Sequence, residues 1–319
     1  MDYRPDQHFY PQRGTSFGVM EERLTPLRVS TVRTRELGAE LRLARTRLKV
    51  PAEHVSRSLG WSLGRLSRLE HGERGTNELD LGALLGQLGV DKATKERVRL
   101  LARERDLGHY LRSHEGKLSD NLLSLAIHEQ SAVTMHKYEP MVIPGLLQTE
   151  AYARAVIELH GVESPDELET FVDARMRRQS VLTSPNPPGT VFYIHEISLL
   201  SRIGNARIMH DQVMRLRFMC DWPRLTLRVI PMSAPGHPAL MRGFNLMTFA
   251  EPVNPVAYAD TDAATVFTED PDSIKLYQRK RNALATLALD AEQSRSTFAH
   301  WADFYDLRGD RDDEGADLA

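Results

Sequence analysis

The stretch from Pro51 to Gly72, PAEHVSRSLGWSLGRLSRLEHG, constrains the fold more tightly than any other part of the chain. Lys49-Val50-Pro51 interrupts a preceding helical pattern, because proline disfavours a helical residue before it yet suits the first turn of a new helix. Ala52, Val55 and Leu59 then recur on one face of a short helix over about residues 51–59, and Gly60 ends it. Ser62 has the chemistry of an N-cap for a helix over about residues 63–71, with Leu63, Leu66 and Leu69 on its inner side and Gly72 placed to stop it. Two short helices on either side of a tight glycine turn, held across each other by leucines, present the second helix outward at a width that fits the DNA major groove.

The flanking patterns agree with a compact helical unit. Leu37, Leu41, Ala44 and Leu48 recur at helical spacing before the proline. A further helix over about 80–88 stops at Gly89, and another spans about 92–106. The charge is distributed to match. The net charge of the 319 residues is only -3, but Arg33 to Arg74 holds ten Lys/Arg against five acids, whereas residues 306–319 hold six acids and two arginines. A basic front and an acidic end is the asymmetry of a chain in which one segment meets a polyanion.

From about Ala132 the character changes. Val191 to His195, Thr226 to Ile230, Phe244 to Phe249 and Pro255 to Ala259 are β-rich. Helical stretches lie around them at about 148–159, 165–182, 205–219, 272–289 and 291–306, separated by turn signals such as Ser184-Pro-Asn-Pro-Pro-Gly189. The expected organisation is a flexible extension over 1–32, an all-α DNA-binding domain over 33–106 and a helical linker over 107–131. An α+β domain with a mostly antiparallel sheet follows over 132–305, and an acidic disordered tail over 306–319 ends the chain.

Two phrases carry a family resemblance. Leu59-Gly-Trp-Ser62 followed by Leu66-Ser-Arg-Leu-Glu-His-Gly72 resembles the Cro/cI-type, xenobiotic-response-element-like helix-turn-helix. Tyr138-Glu-Pro-Met-Val-Ile-Pro-Gly-Leu-Leu-Gln-Thr-Glu-Ala-Tyr-Ala-Arg154, with Leu227-Arg-Val-Ile-Pro231 and Gly236-His-Pro238, resembles the C-terminal domain of the WhiJ-like regulators of actinomycetes. The resemblance implies a transcriptional regulator that binds double-stranded DNA as a homodimer. Its larger domain would receive a small-molecule effector or, in an antitoxin-like adaptor role, a small partner protein. Carried over by position, base reading falls on Leu63, Gly64 and Arg68, and phosphate contact on Ala52, Arg65 and His71. Arg45 and Glu70 match a structural bridge. Arg57 and Arg74 join the positioning set from their charge, Ser62 from its place at a helix start, and Ser67 from its place beside Arg65 and Arg68 on the outward face. The chain departs from the family at Pro51, Ala52, Leu63 and Gly64, where capping or polar residues are usual, so readout is expected to lean on Arg68, Arg65 and DNA shape.

Other chemistry finds little support. No HExxH, GxxxxGK[ST] or CxxC is present, and Cys220 is the single cysteine. No catalytic residue, metal site or cofactor is therefore expected. His195-Glu196 follows a β run, but neighbours on a strand point to opposite faces, so the pair reads as structural. Asp260, Asp262, Glu269, Asp270 and Asp272 read as turn residues. Arg175-Met-Arg-Arg178 reads as a solvated helix face. The polar start without an apolar core, and the absence of an apolar run of about 18 residues, lead to an expectation of a cytoplasmic chain with no membrane span.

Overall fold

The computed structural model describes residues 30–113, 118–162 and 164–316. Most of the expected extension lies outside these residues, but its last part does not: Thr31 caps the first helix, α1 (Val32–Arg47), with its side chain accepting from the Thr34 amide. Four more helices follow, α2 (Ala52–Ser58), α3 (Leu63–Glu70), α4 (Glu78–Leu88) and α5 (Lys92–Arg103). Leu37, Leu41, Ala44, Val55, Leu66, Leu69, Leu84, Leu88 and Val98 make one core among them. Gly38 lets α1 approach the end of α3: a Cβ there would lie 2.4 Å from the Leu69 carbonyl oxygen.

The rest of the described chain is an α+β domain. Its elements are β1 (His109–Ser113), α6 (Leu118–Ser131), β2 (Thr134–Glu139), α7 (Glu150–Glu158), α8 (Pro165–Arg178), β3 (Gly189–His195), α9 (Ile197–Leu200), α10 (Ala206–Met219), β4 (Leu225–Ile230), β5 (Phe244–Thr248), β6 (Val256–Asp260), β7 (Ala264–Thr268), α11 (Pro271–Leu287) and α12 (Ala291–Ala316). The seven strands form one sheet in the order β1-β7-β6-β5-β2-β3-β4. Only β2-β3 and β3-β4 pair in parallel, and the sheet is otherwise antiparallel. One face carries Met135, Phe192, Ile194, Leu227, Val229, Tyr258 and Phe267 into a core completed by the helices. The other carries Tyr138, Tyr193, Phe244 and Leu246 against Ile274 and Leu284 of α11.

Two expected boundaries move. The linker is not all helix: β1 lies within it and forms the sheet edge against β7, from His109↔Thr268 to Ser113↔Ala264. The tail is not an unstructured run, since α12 continues to Ala316.

The two units share a buried polar joint. Arg35 on α1 donates to Glu269 at 3.1 Å and to His128 Nδ1 at 3.2 Å. His128 Nε2 faces Glu36 Oε1 at 3.4 Å, Ser124 donates to the same carboxylate, and Arg112 bridges Glu36 and Glu104. Burial lowers the His128 pKa, so the ring is neutral. Nδ1 accepts from Arg35, and the proton therefore sits on Nε2 toward Glu36. Burial alone would raise the Glu36 carboxyl, but His128 and Arg112 outweigh it and hold it at about 2. Val32, the first residue of α1, is packed in the core of the sheet domain.

Candidate nucleic-acid interface

The turn between α2 and α3 is made by Gly60 at φ +65, a left-handed conformation natural to glycine, and is closed by the Trp61 amide donating to the Ser56 carbonyl at 2.8 Å. Ser62 Oγ then accepts from the Arg65 amide at 3.2 Å, satisfying one of the free donors at the start of α3. Leu66 and Leu69 are buried beneath α3, while Ser67 and Arg68 are exposed. Leu63, expected on the inner side, is 47% exposed beside exposed Gly64, because the first turn of α3 overhangs the core. Arg45 reaches from α1 to Glu70 through two hydrogen bonds of 2.7 and 2.8 Å and also donates to the Val50 carbonyl. That bridge fixes the end of α3 to α1.

The arginines of α3 divide. Arg68 is exposed, and its side chain forms no ion pair among the described residues. Its Nη1 lies 3.3 Å from where a Cβ would stand on Gly64, so the missing side chain gives the guanidinium room to lie along the helix. Arg65, expected to be free for phosphate, instead pairs with Asp80 of α4 and lies 4.1 Å from the centroid of the Trp61 ring. Asn77 caps α4 and holds the same carboxylate at 3.0 Å. Asp80 was missed by sequence reasoning because nothing local marks a carboxylate fifteen residues away as the partner. Arg57 and Arg74 are exposed, and Ala52 is half-buried at the first turn of α2. His71 caps the end of α3, with Nδ1 donating to the Ser67 carbonyl at 2.7 Å.

In the sheet domain, four of the polar groups singled out in the sequence have partners within the fold. His195 Nδ1 accepts from the Ile197 amide, and Glu196 accepts from the Met232 amide and the Trp301 indole. Asp270 caps α11 and Glu269 belongs to the joint. Among the described residues no group of three or more His, Cys, Asp or Glu is placed to hold a metal, and no helix is long and apolar enough to cross a membrane. The Tyr138–Arg154 phrase builds the turn from β2 into α7. The Tyr138 hydroxyl donates to Leu240, Gln148 donates to Ile143, Thr149 caps α7, and Arg154 pairs with Glu169.

The expectation of a solvated Arg175–Arg178 face is corrected. Arg178 donates to both oxygens of Glu129 at 2.6 Å, and Lys137 of β2 pairs with that carboxylate as well. Lys137 also donates to the Tyr258 hydroxyl at 2.9 Å. Arg175 donates to Gln148, and only Arg177 points to solvent. The partner on α6 that draws Arg178 inward is 49 residues away, so no local pattern marks it. Nearby, burial and then Asp260 push the Glu139 carboxyl up to about 7.

Residues 122–300, more than half of the chain, match the family described as a domain of unknown function, DUF5753, and the chain belongs to that family. The match begins inside α6 and leaves α1 to α5 outside it. Comparison with curated proteins gave no significant match.

Proposed function

We propose that α2 and α3 form a helix-turn-helix that reads double-stranded DNA, and that the protein is a transcriptional regulator whose DUF5753 domain receives the regulating signal. The observation that carries this reading is the outer face of α3. Leu63, Gly64, Ser67 and Arg68 stand exposed on a helix whose opposite face is fixed by Leu66, Leu69 and the Arg45–Glu70 bridge. An unpaired arginine on such a helix suits bidentate contact with guanine O6 and N7, and Leu63 suits a thymine methyl. Arg57, Arg74 and the amides at the start of α2 and α3 suit phosphates. Arg65 acts in this reading as the strut that sets the angle between α3 and α4. A homodimer would place two α3 helices about 34 Å apart on half-sites one turn apart.

The test is fluorescence anisotropy on duplexes from the gene's own upstream region, at several salt concentrations. Arg68→Ala should weaken the preferred site by about 1–3 kcal/mol and relax its sequence preference. Binding that is equal on all duplexes and indifferent to Arg68→Ala would refute the reading and turn the search to a small protein partner of the DUF5753 domain.

A further inference from the structure

A groove of about 510 Å³ opens between the two units. Ala39 and Leu43 of α1 form one wall, and Leu123 and Ile127 of α6 form the other. The end of α3, Glu70 and His71, closes a third side. The size is that of a small-molecule pocket, and four apolar side chains form its walls among eight polar or charged lining residues. Leu123 remains 38% exposed there.

The charges at the rim are unequal. Glu40 is paired with Arg97 at 3.4 Å, and Glu70 is paired with Arg45, so both acids are neutralised by partners outside the groove. Arg35, at the base, is held by Glu269 and His128. Arg42 lines the groove and forms no ion pair among the described residues, which leaves the rim with one uncompensated cation. An apolar body with one anionic end complements both features, since a guanidinium takes a carboxylate in two parallel hydrogen bonds.

We propose that this groove binds a small apolar carboxylate and that its occupancy is felt by the recognition helix. The coupling rests on the DNA-reading role argued above, whereas the site does not. Its walls belong to opposite sides of the buried joint: α1 and α3 lie outside the DUF5753 match, while Leu123 and Ile127 lie inside it. A ligand wedged there changes the relation of α3 to α6 only to the extent that it prefers one arrangement of them.

The test uses the full chain with decanoate as probe and 1-decanol as its uncharged counterpart. Binding is followed by calorimetry below the concentration at which either self-associates. Decanoate should bind at one site per chain, raise the melting temperature, and bind about tenfold more tightly than 1-decanol. Arg42→Ala should remove that preference, and Leu123→Glu, on an already exposed side chain, should abolish binding of both. Ala39→Phe, filling the groove, should do the same. Absence of saturable binding to the wild-type chain, the result expected if residues 1–29 or a partner protein occupies the groove, would overturn the proposal. So would binding untouched by both Leu123→Glu and Ala39→Phe. Anisotropy with duplex DNA separates the two readings. Decanoate binding without any Arg68-dependent DNA binding leaves the site standing and removes the reader. Decanoate binding that leaves an Arg68-dependent affinity unchanged overturns the coupling.

Discussion

Arg65 and Arg68 on α3 and Arg175 and Arg178 on α8 share the same three-residue spacing, and their surroundings treat them in opposite ways. On α3 the helix lies over a small core, and only the nearer arginine is captured, by Asp80 at the edge of α4. On α8 the helix lies over a sheet, and Arg178 is drawn beneath it to a carboxylate that is itself fully buried. A thin helical unit leaves cations outside, where a polyanion can reach them. A sheet with helices on both faces has an interior deep enough to enclose an ionic cluster. Enclosed charge is expensive unless every member is paired, so the cluster at Glu129 is a structural commitment, while Arg68 costs the fold nothing.

The largest expected effect follows directly. Glu129→Gln keeps the shape but leaves Lys137 and Arg178 facing each other in a buried site. Urea unfolding should show a loss of about 3–5 kcal/mol. Replacing Arg68 should leave the same midpoint unchanged within error. If Glu129→Gln costs less than Arg68→Ala, the distinction between the enclosed and the outward-facing cations collapses.

The same contrast explains what could be read before the structure. Helices α1 to α5 are marked by local signals: Pro51, Gly60, Ser62, Gly72 and Gly89 punctuate them, and Leu66 and Leu69 repeat within one turn. Strands β3 to β6 announce themselves by β-branched and aromatic runs. β2 does not, because Thr134-Met-His-Lys-Tyr-Glu139 buries a lysine among its inward residues and so breaks the apolar alternation. β1, HYLRS, is an edge strand whose Arg112 is spent on Glu36 and Glu104, and it reads as a continuation of the helix before it. The exposed positions of α3 follow from helical spacing once the helix is placed. The capture of Arg65, the joint around His128 and the groove beside it depend on residues brought together from 8 to 234 positions apart. No local pattern encodes those meetings.

An intermediate effect is expected from pH, and it has opposite signs in the two regions. Glu139 at the end of β2 has its pKa raised from 4.5 to about 7. Its contribution to stability is therefore complete below pH 4.5 and is lost as pH rises through about 7. Glu139→Gln should stabilise the protein by about 1–2 kcal/mol at pH 8, after allowance for solvent screening, and leave it unchanged at about pH 4. His128 at the joint has its pKa lowered from 6.5, so its contribution is present above that value and fades as pH falls below it. Melting temperatures of wild type, Glu139→Gln and His128→Gln between about pH 5 and 8 separate the two. On acidification the Glu139→Gln variant should lose more of its melting temperature than wild type, and the His128→Gln variant less. Parallel curves for all three would show that neither group titrates differently in the folded state.

The smallest effect probes the outward face itself. Gly64 sits in the first turn of α3, where a glycine costs the helix about 0.5–1 kcal/mol relative to alanine. A new Cβ would meet only the end of the Arg68 side chain, at 3.3 Å, and that flexible end can give by a few tenths of an ångström. Gly64→Ala should therefore raise stability by about 0.5 kcal/mol in urea unfolding. In the anisotropy assay the same change displaces Arg68 from the helix surface, so sequence preference should shift while salt dependence, set by phosphate contacts, stays the same. A stabilised variant with an unaltered preference would mean that Arg68 reads no base from this position. The contrast between free and enclosed arginines would then concern stability alone.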